Sequence, residues 1–143
     1  MVRKLVSYTP YMSNENYRLI IIDGETVAAE KVGLDTYKLI ENPVFSCRIN
    51  YGSIVLALPS ENGNLVMSTI VRASDFLTRQ FLTSPMLVED KFKDTVGRKI
   101  LDAGGMWETA MGGILFIHIP RHSNFDLETC LKEADLNLVE IKQ

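Results

Sequence analysis

Apolar and polar positions alternate in short bursts through the first half of the chain and at helical spacing through much of the second. Residues 17–22, YRLIII, read as a strongly apolar strand. Asp23-Gly24 is a two-residue hairpin signal, and residues 26–32 return as a second strand with Val27, Ala29 and Lys31 on one face. Gly33-Leu34-Asp35 turns the chain into a short period-two stretch in which Tyr37 and Leu39 flank Lys38. Asn42-Pro43 interrupts it, because Pro43 has no N–H to give a ladder and Asn42 is pushed out of the helical region. Phe45, Cys47 and Ile49 then alternate with Ser46, Arg48 and Asn50, the pattern of a strand with one buried face. After the turn Asn50-Tyr51-Gly52-Ser53, the continuous apolar run over residues 54–58 predicts a strand covered on both faces. Residues 59–64 form a turn cluster and residues 65–71 a further strand. Before all of these, residues 5–8 read as a short strand and residues 9–16 as a loop.

The second half has a different period. Residues 75–82 are strand-like, and Ser84-Pro85 announces a helix with serine as N-cap and proline in the first position. Val88, Phe92, Val96 and Ile100 make one apolar stripe, with Glu89, Asp90 and Asp94 early and Arg98 and Lys99 late, as the helix dipole favours. Gly97 weakens that helix and Gly104-Gly105 ends it. Residues 106–110 and 114–119 then read as strands joined by Met111-Gly112-Gly113. Asn124 or Asp126 caps a helix whose Leu127, Cys130, Leu131 and Ala134 share a face, and residues 136–141 alternate as a final strand. The order from residue 75 is β-α-β-β-α-β, that of a ferredoxin-like unit. The fold class expected is therefore α+β. An antiparallel β-lobe, a curled sheet or partial barrel, spans residues 1–73; a ferredoxin-like lobe spans residues 74–143, the two packed as one compact unit.

Residues 37–58 also carry a resemblance. Tyr37, Lys38, Leu39, Pro43, Phe45, Tyr51, Gly52, Ile54 and Val55 follow in order a signature in which tyrosine, a basic residue and leucine precede a proline, aromatics, Tyr-Gly-Asp and a β-branched pair. The stretch resembles a bacterial family catalogued as domain of unknown function 4265. The likeness continues more weakly through Glu61-Asn62-Gly63-Asn64 and residues 105–120, covering residues 26–134 in all. Two positions depart from it. Ser53 stands where family members carry aspartate, and Phe45-Ser46-Cys47 lacks the second aromatic. What replacing that aspartate by Ser53 does does not follow from the likeness. The resemblance implies a fold and a bacterial origin, and no catalytic residue.

Composition narrows the function classes. The 143 residues suffice to bury about two thirds of the unfolded chain's surface. A formal net charge of −3 and a pI near 5.4 argue against non-specific nucleic-acid binding, which needs a basic surface. Cys47 and Cys130 lack metal or redox spacing and sit at apolar positions of their own elements, so both are expected to be small buried hydrophobes in a reduced chain. No leader-like segment or membrane-length apolar run stands out, which makes cytoplasmic the expected location, without membrane association.

Candidate chemistry is sparse. The two histidines are His118, inside an apolar strand, and His122, in the loop after Pro120-Arg121. Neither has partners at metal-ligand spacing, and the expectation is no metal and no cofactor. Ser123 beside His122 reads as a helix cap, Cys130 as a buried and inert thiol, and the Gly-Gly pairs do not open helices as nucleotide loops do. No catalytic residue is assigned. Trp107, with Met106 and Met111, is the most suggestive cluster, because tryptophan and methionine are favoured at interface cores; a core tryptophan is the plainer reading. The candidate binding surface comprises Tyr51, Trp107, Met111, His118, Arg121 and His122.

These readings point to a non-enzymatic bacterial module that binds another protein, in its most concrete form an immunity-type inhibitor of a toxin. An acidic surface suits a basic partner. The alternative is a small-molecule-sensing regulatory domain with its ligand between the two lobes. The sequence names neither partner nor ligand and does not set the oligomeric state.

Overall fold

The computed structural model describes residues 16–142, which form a mixed α+β chain of nine strands and three helices. The strand expected over residues 5–8 lies outside the described residues. Two compact units divide between Asp75 and Phe76.

The first unit is a closed five-stranded barrel, β1 (Tyr17–Ile22), β2 (Glu25–Gly33), β3 (Thr36–Leu39), β4 (Ile54–Pro59) and β5 (Leu65–Arg72). The β1–β2 hairpin forms where Asp23-Gly24 predicts it; φ is 50° at Asp23 and 84° at Gly24, which the two-residue primed turn requires. Neighbouring strands run antiparallel, but the closing pair, β1 with β5, is parallel, with Ile20 opposite Leu65 and Ile21 opposite Val66. Ile20, Ile22, Val27, Ala29, Tyr37, Leu39, Ile49, Val55 and Ala57 fill the interior. Lys31, expected on the inward face with Val27 and Ala29, is exposed; a bulge between Lys31 and Gly33 shifts the register there.

Two strand expectations are corrected. Residues 54–58 are not covered on both faces, since Val55 and Ala57 point inward while Leu58 is exposed. An antiparallel barrel wall has a solvent side even where its sequence is apolar throughout. Residues 45–49 are not a strand. Residues 40–53 form one long ordered connection from β3 to β4.

The second unit is a four-stranded antiparallel sheet in the order β7-β8-β6-β9, with β6 (Phe76–Leu82), β7 (Met106–Ala110), β8 (Ile114–Pro120) and β9 (Val139–Ile141). Between β6 and β7 lie α1 (Pro85–Leu87), a π-helical turn (Val88–Phe92) and α2 (Val96–Asp102); α3 (Leu127–Glu133) precedes β9. Phe81, Trp107, Leu115 and Ile117 of the sheet join Val88, Phe92, Val96, Ile100, Leu127 and Leu131 of the helical segments in one core.

Ser84 caps α1 by accepting from the Leu87 N–H at 3.2 Å, with Pro85 in the first turn, as the sequence predicts. The single helix expected after it is broken, although its stripe is intact. Residues four apart drift about 40° per step around a straight α-helix of 3.6 residues per turn. The wider π turn, with the Lys93 N–H bonded to Val88 O at 2.9 Å, offsets that drift and keeps Val88 and Phe92 on the buried side. Thr95 then ends the turn by donating its hydroxyl to the Lys91 and Phe92 carbonyls. Gly97 is the residue that lets α2 lie against Trp107: a Cβ there would stand 2.8 Å from the indole Nε1 and 3.2 Å from Phe92 O. Phe92 meets the same indole edge to face, with centroids 5.2 Å apart.

Candidate functional site

The connection over residues 40–53 is built around a buried carboxylate. Glu25, at the start of β2, accepts the N–H of Val44 at 2.6 Å, Phe45 at 2.8 Å and Ser46 at 3.2 Å. Those backbone donors are thereby withdrawn from any strand ladder, and Pro43 just before them has none to give. This is why the alternation of Phe45, Cys47 and Ile49 does not become a strand. Ile49 is buried, but Cys47 is exposed, contrary to the expectation for it.

A second clamp lies at the surface. Arg48 grips Asp23 through Nε at 3.0 Å and Nη2 at 2.7 Å, and the Ser46 hydroxyl donates to the same carboxylate at 2.7 Å. Arg48 first, and Ser46 after it, hold the Asp23 carboxyl at about 2, below its usual 3.8. Within the connection Asn42 Oδ1 accepts the Tyr51 N–H at 2.8 Å, and the Ser74 hydroxyl donates to the Tyr51 carbonyl. Tyr51 is thus a half-buried corner of the loop, tied down by its backbone. The side chain the loop offers to solvent is Phe45, 64% exposed.

In the second unit the candidates separate. Trp107 is fully buried in the core and belongs to no surface. Met111 projects from the β7–β8 turn with φ of 55°, and Arg121 and His122 are exposed beyond β8. His118 is fully buried on the opposite sheet face from Trp107. It forms a polar chain across three strands: Nε2 bonds Glu108 Oε2 of β7 at 2.9 Å, and Nδ1 lies 2.8 Å from the Thr78 hydroxyl of β6. Phe116 stacks near the imidazole, with planes 7° apart and centroids 6.4 Å apart. Within the second unit, Trp107 and His118 are therefore buried on opposite faces of the sheet, while Met111, Arg121 and His122 lie at the surface. Cys130 is half-buried on α3. Among the described residues no three His, Cys, Asp or Glu side chains converge as a metal ion would need.

The sequence reading missed a cleft of about 500 Å³ beside α3 and β9. Arg79 lies in its wall, bonded by Nε and Nη2 to Glu140 at 2.8 and 2.9 Å, paired with Glu128 at 2.7 Å, and set over the Phe81 ring at 5.4 Å. Arg79, and Lys142 after it, hold the Glu140 carboxyl at about 2 against an ordinary 4.5. A depressed carboxyl stabilises the fold above its unfolded value, and that contribution fades as pH falls from about 4.5 towards 2. We expect a ¹³C NMR titration of the Glu140 carboxyl to show its midpoint near 2. A midpoint near 4.5 would mean that the Arg79 clasp does not hold in solution.

No family model matches the chain, and no curated protein matches it. A solved structure does: a hypothetical protein from Neisseria gonorrhoeae, 16% identical, with a TM-score of 0.59 over 90% of this chain and 94% of that one. At that identity the likeness speaks for the fold alone, an α+β architecture shared along nearly the whole length. No helix among the described residues is long and apolar enough to cross a membrane.

Proposed function

We propose that the chain is a non-enzymatic bacterial protein-binding module that uses the connection over residues 40–53 as its recognition element. One observation carries this: a loop pinned from beneath by Glu25 and from the side by Asp23–Arg48 presents Phe45 to solvent. Binding residues concentrate on loops held by rigid scaffolds, and a preformed loop loses little entropy on docking. Aromatic side chains dominate interface energetics. With a net charge of −3, an immunity-type inhibitor of a basic toxin is the concrete form of the proposal.

Two finer readings accompany it. The β7-β8-β6-β9 order, with its helical segments after β6 and β8, supports a ferredoxin-like second unit. The residues from Tyr37 to Val55 support kinship with domain of unknown function 4265. Two unpaired cysteines, one of them exposed, suit a reducing cytoplasm.

The test is capture from a native-host lysate on immobilised wild type and Phe45→Ala in parallel. Wild type should retain a defined partner, and the variant should bind it about 30-fold more weakly, the loss of a hot spot worth about 2 kcal/mol, at unchanged melting temperature. Equal retention by both, or no partner at micromolar concentration, would refute the proposal.

A further inference from the structure

We propose that the outer edge of β9, which no other described strand covers, and the cleft beside it receive an extended, basic segment of a partner protein. This rests on the protein-binding reading above but uses a different surface, in the other unit. Strand β9 ends the sheet and pairs with β6 alone among the described strands. Its outer side is therefore a template for one more strand, the mode in which main-chain hydrogen bonds supply affinity and adjoining pockets supply selectivity.

The pocket is present. Glu140 faces the same side of the sheet as Phe81, opposite which it lies in register. The cleft on that side is lined by Phe81, Leu131, Leu136 and Leu138, and its volume of about 500 Å³ accommodates a long side chain with room to spare. Its charged lining is three carboxylates, Glu128, Asp135 and Glu140, against two cations, Arg79 and Lys132. Arg79 is already held between Glu128 and Glu140, so it is not available to attract an anion. A lysine or arginine arriving from the β9 edge could lay its methylene stem on the leucines and bring its charge to Asp135 and Glu128, which are both exposed. The chain's net negative charge favours approach of such a segment.

The probe is a capped peptide of alternating valine and lysine, about seven residues long, titrated into the ¹⁵N-labelled full chain. A second peptide carries glutamate in place of lysine. The expected result is saturable shifts at the Val139, Glu140 and Ile141 amides with the lysine peptide and none with the glutamate peptide. In the doubly neutralised variant Glu128→Gln, Asp135→Asn, binding should weaken about tenfold. If the rest of its spectrum shows that the pair disturbs the fold, Asp135→Asn alone supplies the comparison. Binding should be unchanged in Phe45→Ala, so that loss of the loop's partner and loss of this site read out separately. Absence of shifts at β9, an equal response to both peptides, or undiminished affinity on charge removal overturns the proposal. So does a set of β9 shifts that follows protein concentration alone, which would assign the edge to a second copy of the chain.

Discussion

His118→Ala is expected to cost about 3–5 kcal/mol of stability, the range for breaking a buried charged or charge-capable pair by removing one partner. The imidazole is fully buried, and the Glu108 carboxylate that its Nε2 bonds at 2.9 Å is equally so. Truncation takes the ring away from that carboxylate and from the Thr78 hydroxyl, and leaves a void beside Phe116. Urea unfolding should show the midpoint falling while the slope stays constant. The double variant His118→Leu, Glu108→Leu should lose clearly less than the two single losses combined, because it removes both members of the buried pair together instead of leaving one facing a void. A loss under about 1 kcal/mol in His118→Ala would show that the buried pair is not structural. A hydroxyl, imidazole and carboxylate in series resemble an activated nucleophile in connectivity. Here, however, the imidazole that would have to shuttle the proton is wholly buried within the strand face.

Local signals made the fold largely legible. Asp23-Gly24 permits the positive φ values its turn requires, Ser84-Pro85 places a cap and a first turn, and Val88, Phe92, Val96 and Ile100 all reach the core. These features act within one turn or one hairpin, where sequence spacing equals spatial spacing. What the pattern could not show depends on distant partners. The parallel closure of β1 on β5 joins residues more than forty positions apart in sequence, such as Ile20 and Leu65. The conversion of residues 45–49 from strand to loop depends on Glu25, some twenty positions earlier.

The candidate site was less legible for the same reason. Tyr51, Trp107, Met111, His118, Arg121 and His122 were chosen by residue type, and type does not separate a core tryptophan from an exposed one. Trp107 went inside because Gly97 lets α2 approach it. Phe45 was read as an inward strand residue and is instead the exposed tip of the pinned loop. One sequence clue existed for the buried network: Glu108 is a carboxylate inside the apolar stretch MWETA, and a charge there must find a partner. Arg79 and Glu140, sixty-one positions apart, left no such clue.

Glu25→Ala is expected to cost about 3 kcal/mol, since it leaves the buried Val44 N–H and two partly buried N–H groups without their acceptor. The conservative change should not rescue it. Glutamine offers one carbonyl oxygen in place of two carboxylate oxygens, and its amide would turn N–H donors toward the N–H donors of Phe45 and Ser46. Aspartate is one methylene too short to span the same three contacts from β2. Glu25→Gln should therefore lose most of what Glu25→Ala loses. Both should speed hydrogen exchange at Val44, Phe45 and Ser46, while exchange at the β6–β8 pairs in the other unit stays slow. Because Asp23–Arg48 remains to hold the outer end of the loop, the loop should loosen rather than detach. If Phe45 is the recognition element, partner affinity in Glu25→Gln should fall even though every side chain on the loop surface is intact, since the loop must then be ordered at the moment of binding. Exchange rates at these three amides unchanged from wild type would show that Glu25 does not set the loop's conformation.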